Sequence, residues 1–447
     1  CPTNAKQSML VSTIPAALEH GAELVASMRA HSFKISQGRI RSLRCQVMNP
    51  DGVLPSGQEV EITAKHFVLA GGSINSPAVL LRSNATDPYD RLGERTFLHP
   101  VVISAATMEQ EVRADAGAPQ TIYSDHYLHT DPIDGPVGFK LEAPPLHPVI
   151  FASTLPGFAK KHADVMKNFS KTHMQLALLR DGFNSGSVGG QVRLNSDGSP
   201  VLDYKLTPAI WDAARRALVA MAELQHAAGA LSTLPVHEFS KPANNIDEAL
   251  KQIKALDMKP LSMKVVSAHV MGGCAMAGEE KLGVARPDGR HWQIENLSIH
   301  DGSLFPTSIG ANPQLSIYGL TNKLSQQLVA ELTGQAATAL ATHDYHCVLL
   351  DRGLRSDAPA TSPWLLAGAG CADLPVPRLV DPPPGREQVR SLAVVVEAPV
   401  PPPAVTRPVS GPLEGFLYGS ARGMAVGGNR RPPFASAFLL PPASLLP

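Results

Sequence analysis

The sequence predicts a mixed α/β protein. Three observations carry that expectation: extended runs broken by turns over residues 30–70, a strand that runs into Gly71-Gly72 and then a helix, and two long stretches with apolar residues at helical spacing. At 447 residues the chain is long enough for two or more domains. Basic and acidic residues balance at 39 each, so no cationic excess points to nucleic acid and no acidic run points to a solvating tail. The cysteines (Cys1, Cys45, Cys274, Cys347, Cys371) are scattered and odd in number. That is no disulfide framework, and it favours a reducing, cytoplasmic compartment. No apolar run approaches the roughly 20 residues that span a bilayer, so no transmembrane segment is expected, though peripheral membrane association stays open.

The elements read in order. IPAALEHGAEL from residue 14 is a short helix, with Pro15 in its first turn and Gly21 closing it. AHSFKI, RIRSLRCQV and EVEITAKHFVLAGG form a small β-meander with turns at Ser36–Gly38 and Asn49–Gly52. It ends in a buried strand from His66 to Ala70. A helix follows Gly71-Gly72, with Ser73 or Asn75 as cap and Pro77 in the first turn. Residues 100 to 200 alternate extended runs with loops and contribute His126, His129 and His147, without the spacing of a metal cluster. GQVRLNSDGSPVLDYKL is a hairpin around DGSP. WDAARRALVAMAELQ is an amphipathic helix with Trp211, Leu218, Met221 and Leu224 inward. The last helix starts at Pro313 with Asn312 as its N-cap, buries Ile317, Leu320, Leu324, Leu328 and Leu332, and stops at Gly334.

After about residue 343 the composition changes. Of 40 prolines, 18 fall from Asp351 onward, no lysine follows Lys323 and no isoleucine follows Ile317. Such a stretch holds neither helix nor sheet ladders. Residues 343–447 are expected to be a disordered Pro-rich tail or a stretch read in a shifted frame. Within it LLAGAGCAD is only a weak echo of a dinucleotide fingerprint.

SAHVMGGCAM, residues 267–276, places a histidine five residues before a cysteine with two glycines between. His269 can be read as a core histidine, a metal ligand or a base. The metal reading lacks partners: there is no CxxC or HExxH, and Cys274 is the only nearby soft ligand. No metal is expected. A nucleophile's base would need a serine elbow, and no GxSxG occurs.

Four stretches taken together resemble the glucose–methanol–choline family of FAD-dependent alcohol oxidoreductases: CPTNAKQSMLVSTIPAAL, HFVLAGGSINSPAVLLRSN, LGERTFLHP and SAHVMGGCAM…ENLSIHDGSLFPTSIGANPQLSIYGL. The resemblance covers about residues 1–335 and is nearest to the choline-dehydrogenase-like and long-chain or sterol alcohol branches. It implies FAD as cofactor and a small-molecule alcohol as substrate. The electron acceptor would be oxygen, a quinone or another carrier. His269 falls on the catalytic histidine and Asn312 on the second catalytic position. Gly71, Gly72, Asp301, Gly302, Asn312 and Pro313 fall on stretches that approach the cofactor. His99 matches a frequent family histidine with a structural role.

In that reading His269 takes the hydroxyl proton, Asn312 donates to the same oxygen and flavin N5 receives the hydride. The implied architecture is a Rossmann-like FAD domain (1–100 and the returning segment 266–335) plus a substrate domain (101–265) with a mixed or antiparallel sheet and helices. The family's N-terminal GxGxxG turn is not found, so the FAD site is expected to be incomplete and the chain truncated. The alternatives are a non-catalytic fragment of such an enzyme and a metallohydrolase built on His269 and Cys274.

Overall fold

The computed structural model describes residues 8–116, 120, 122–130, 132 and 134–334. The Pro-rich stretch 343–447 with LLAGAGCAD, and Cys1, Cys347 and Cys371, lie outside the described residues. Helix α1 (Thr13–Glu19) leads into β1 (Met28–Ser36), β2 (Arg39–Met48) and β3 (Pro55–Ile62), an antiparallel meander in that order. The β1–β2 turn pairs Ser36 with Arg39 across Gln37-Gly38, both at positive φ (54° and 67°). That is the turn hand that matches strand twist. Then come β4 (Phe67–Leu69) and α2 (Gly72–Arg82), followed by β5 (Phe97–Leu98), β6 (Val101–Met108), β7 (Tyr123–Ser124) and β8 (Phe139–Glu142). Helices α3 (Pro148–Thr154) and α4 (Ala159–Met166) precede β9 (Thr172–Leu179) and the hairpin β10 (Gln191–Leu194) and β11 (Pro200–Asp203). The rest is α5 (Pro208–Ala227), β12 (Ala230–Pro235), α6 (Ile246–Ala255), β13 (Val270–Met271), β14 (Leu297–Ile299) and α7 (Gln314–Thr333).

Two cores result. In the first, β14 pairs in parallel with β4, Leu297 beside Phe67 and Ile299 beside Leu69, so the end of the described chain returns to its beginning. Phe33, Leu43, Phe67, Leu80, Leu297 and Leu324 fill that core. In the second, the antiparallel sheet β12-β6-β9-β8-β7 splits its side chains by parity. Val102, Phe139, Leu141, Ala177 and Leu179 face α5 and α6 and pack on Leu218, Met221 and Ile253. Ile103, Ala105 and Met174 face the other way, against Phe151, Leu155 and Val236.

Several local expectations shift. Helix α2 begins at Gly72 without a side-chain cap from Ser73 or Asn75, and Pro77 sits in its interior. The Ser73 hydroxyl instead donates to the Val270 carbonyl at 3.0 Å, and the buried Asp301 carboxylate takes the Gly72 N–H at 2.9 Å. Helix α7 begins at Gln314, with Pro313 in the cap position, and Asn312 does not cap it. Leu224 and Leu332 are exposed at 42% and 47%: the apolar stripes of α5 and α7 run past the surfaces they pack on. His147 caps α3, its Nδ1 accepting from Val149 N–H at 3.3 Å, which is a structural use.

Met221 is fully buried between α5 and the sheet. Met221→Ala is expected to cost about 2–5 kcal/mol of stability, read as a lower denaturant midpoint. An unchanged midpoint contradicts this packing.

Candidate functional site

SAHVMGGCAM acquires its geometry from a two-stranded antiparallel ladder. Strand β13 pairs Val270 with Leu98 and Met271 with Phe97 of β5. One step further in the same register, His269 stands opposite His99. Their Nδ1 atoms lie 3.1 Å apart and the rings meet edge to face at 87°. The two glycines let this ladder form against its surroundings. Gly272 and Gly273 have φ of 84° and 96°, and a Cβ on Gly272 would strike the Arg95 carbonyl. A Cβ on Gly273 would come within 3.1 Å of the Ser73 carbonyl. Gly273 accepts the Gly93 N–H at 2.7 Å, which stitches the segment to the turn before β5. Cys274 is wholly buried, and burial holds its thiol well above the usual range, so it is a packed thiol. Among the described residues no three His, Cys, Asp or Glu side chains gather as a metal set.

The electronic state of the pair follows from burial. Burial, and then the neighbouring His269 and Lys140 charges, push His99 down to about 3. Burial also lowers His269; Glu142 pulls it up and Lys140 pushes it down. Both rings are therefore neutral near pH 7, and one Nδ1 carries the shared proton. His99 Nε2 is buried without a partner. If Nδ1–H of His269 donates to His99, Nε2 of His269 presents a lone pair that can accept a proton.

Asn312 approaches from the segment before α7. Its Oδ1 accepts from Lys140 Nζ at 2.9 Å, and Lys140 pairs with Glu142 Oε1 at 3.1 Å. Strand parity explains the placement: Phe139 and Leu141 go to the α5 core, so Lys140 and Glu142 point to the opposite face. His269 and Asn312 make no direct hydrogen bond; they are linked through the Lys140–Glu142 pair, which acts electrostatically on His269. Reading the sequence missed Lys140 and Glu142 and took His99 as structural. The signal for the former was two charges alternating with Phe and Leu in FKLE, a strand with one polar face.

The expected cofactor-side residues fall into two groups. Asp301 accepts from Gly72 N–H at 2.9 Å, Ser76 Oγ–H at 2.5 Å, Ser303 N–H at 2.8 Å and Ser303 Oγ–H at 2.5 Å. Gly71 N–H donates to Ser76 Oγ at 3.0 Å. The start of α2 is thus closed internally, and Gly71, Gly72 and Asp301 form a brace between β4, α2 and β14. Gly302 packs closely, a Cβ there meeting Ile317 Cδ1 at 3.1 Å and the Val270 carbonyl at 3.4 Å. The start of α7 is different. Its first bond runs from Ile317 N–H to the Pro313 carbonyl at 2.8 Å, and no side chain caps it. The exposed N–H groups of Gln314, Leu315 and Ser316 lack helical acceptors and suit an electron-rich ring edge. Beside β4, a groove is lined by Val68, Ala70, Gly71, Asn75 and Ser76 on one side and by the apolar meander side chains Ala30, Phe33, Leu43 and Ile62 on the other. These features fit part of a flavin nucleotide; a glycine-rich phosphate turn is not among the described residues.

His66, His99, His291 and His300 are depressed to about 4, 3, 4 and 4, burial being the leading cause in each. Each ring binds a proton more readily unfolded, at about 6.5, than folded. Their contribution to stability is therefore complete above about pH 6.5 and lost as pH falls toward 3–4. The thermal midpoint is expected to fall steadily below pH 6.5 and to show no histidine-linked change from pH 7 to 8. A midpoint flat from pH 7 to 4 contradicts the neutral burial of these rings.

Two family models described as GMC oxidoreductase match the chain, over residues 1–101 and 186–321. An uncharacterized GMC-type oxidoreductase of Sinorhizobium fredii is 24% identical over 344 residues, covering 76% of this chain and 64% of that one. A second, of Mycobacterium tuberculosis, is 26% identical over 75% of this chain and 50% of its own. A long-chain-alcohol oxidase of Arabidopsis thaliana is 26% identical over 59% of this chain and 37% of its own. The chain thus spans between about a third and two thirds of the curated relatives it matches. A formate oxidase variant of Aspergillus oryzae shares the fold, with a TM-score of 0.50 and 14% identity over 69% of this chain and 60% of that one. The paired family matches, resting on the two segments that fold onto one another through β4 and β14, mean that the chain belongs to the GMC oxidoreductase family.

Proposed function

We propose that the chain carries the reaction centre of an FAD-dependent alcohol oxidoreductase in which His269 is the base and Asn312 its partner. The observation that carries this reading is the His99–His269 pair. A neutral imidazole at 3.1 Å from a second neutral imidazole is held in one orientation, with its outer nitrogen unengaged. Such a nitrogen takes the hydroxyl proton of an alcohol as the carbinol C–H bond breaks. Its Nδ1–H keeps its acceptor on His99 throughout, so the ring does not need to turn when it becomes an imidazolium. Asn312 offers its amide N–H to the same oxygen, which orients the C–H bond and stabilises the charge on that oxygen as the hydride leaves the carbon. Bound FAD supplies the two-electron acceptor for the hydride released as the alcohol becomes a carbonyl.

The segment Asn312–Leu315, Asp301–Gly302 and the groove at Gly71 would hold the flavin nucleotide. Segments 1–100 and 266–335 then form the cofactor side, and 101–265 the substrate side. Leu178 and Leu176 of β9 stand beside Lys140 and Glu142 across the β8–β9 pair, so the substrate side presents apolar ground around one polar cluster. That favours an apolar primary or secondary alcohol over a sugar, in keeping with the name of the Arabidopsis relatives. Oxygen is a fitting acceptor by the same analogy, with a quinone or other carrier as the alternative. No described helix is long and apolar enough to cross a membrane.

The test is spectroscopic and kinetic. Protein loaded with FAD is expected to show flavin bands that bleach when an aliphatic alcohol is added anaerobically. His269→Ala should retain the bands and bleach about 10²–10⁴-fold more slowly. Equal bleaching in the variant removes His269 from the reaction, and failure of any alcohol to bleach bound FAD overturns the assignment.

A further inference from the structure

Lys140 is unusual among the charged residues of this molecule. Its side chain is only 12% exposed and that of its partner Glu142 only 4%, whereas the other described ion pairs lie at or near the surface. The ammonium is engaged on three sides: Asn312 Oδ1 at 2.9 Å, Glu142 Oε1 at 3.1 Å and the face of the Tyr123 ring at 4.2 Å from its centroid. Glu142 is held in turn, its Oε2 accepting from Gln120 Nε2 at 3.1 Å. Tyr123 stands directly across the β7–β8 ladder from Glu142. A buried pair of this kind seldom adds stability over an apolar pair of the same size. Its position next to the reaction centre calls for a different use.

We infer that Lys140, fixed by Glu142 and Tyr123, is the positioning residue for Asn312: it holds the carboxamide oxygen and thereby turns the NH2 end toward the substrate oxygen. The inference rests on the alcohol oxidoreductase reading above. Its chemistry is simple. An ammonium can only donate, so the amide atom beside it must be oxygen, and the amide nitrogen then points away. Among the described residues the Asn312 Nδ2 takes no protein acceptor, so it is available as a donor. Without the ammonium the amide can turn over and present its carbonyl to the substrate oxygen, which repels the developing alkoxide. The pair also keeps opposite charges together near His269, where Lys140 lowers and Glu142 raises its proton affinity, and His99 is the ring in contact. Removing Lys140 alone leaves a carboxylate to raise it.

The first readout needs no cofactor. In flavin-free protein labelled with 15N-asparagine, the Asn312 side-chain NH2 signals are assigned by their loss in Asn312→Ala. Lys140→Met is expected to move them, Lys140→Arg to preserve them largely. Because Lys140→Met leaves Glu142 buried and unpaired, Lys140→Met/Glu142→Leu is made alongside; it removes both charges, is expected to fold, and should move the signals in the same way. In FAD-loaded protein, Lys140→Met should lower kcat about tenfold or more with a smaller change in KM, and shift the acid limb of the pH profile upward. In an Asn312→Ala background the same change should cost little more. Amide signals indifferent to Lys140, or losses from Lys140→Met and Asn312→Ala that multiply independently, overturn the inference. Loaded protein that bleaches with no alcohol overturns the function reading instead, while the amide signals still decide the clamp.

Discussion

The antiparallel register between β5 and β13 is the constraint on which the rest depends. It sets two histidines, 170 positions apart in the chain, edge to face with their Nδ1 atoms 3.1 Å apart. Two strands of two residues each would not hold such a contact alone. They are held because Gly272 and Gly273 let the backbone touch the turn before β5, and because Cys274 and Met276 hydrogen-bond onward to Ser303 and Leu304. A side chain at either glycine would push the ladder away and separate the rings. The local chemistry of one nitrogen is therefore secured by backbone packing several residues distant.

A second framework braces the first. Asp301 gathers four donors from α2 and from its own turn, and so ties β4, α2 and β14 into one unit. This unit carries the start of α7 and with it Asn312. The five-stranded sheet delivers the other half of the site: its apolar parity builds the α5 core, and its polar parity delivers Lys140 and Glu142. The candidate site thus draws Asn312 from the braced unit and the Lys140–Glu142 pair from the sheet. Burial then acts on the electronics, lowering both His99 and His269 so that neutral imidazoles persist near neutral pH.

Much of this was legible in the sequence. The meander, the GSINSP helix, the DGSP hairpin and the helix ending at Gly334 follow from turn residues and periodicity, which are local signals. His269 stood out through its neighbours and Asn312 through the proline after it. What was hidden was non-local. Nothing in FKLE says that its charged residues face a histidine more than a hundred positions later. Nothing in LGERTFLHP says that His99 meets His269 rather than a core wall. Asn312 looked like a helix cap because Asn before Pro usually is one; the ammonium of Lys140 competes for the same carbonyl oxygen and wins. At the start of α2 the Gly72 N–H goes to the Asp301 carboxylate, a partner more than two hundred positions away that no local signal reveals.

The claim most exposed to test is that His269 is neutral with its proton on Nδ1, donated to His99. Nitrogen-15 spectra of histidine-labelled protein at pH 7 report the state of each ring nitrogen directly. The account predicts a protonated Nδ1 and a bare Nε2 on His269, a bare Nδ1 on His99, and no change in the His99 ring down to pH 6.5. A His269 ring carrying its proton on Nε2, or charged at pH 7, would contradict it.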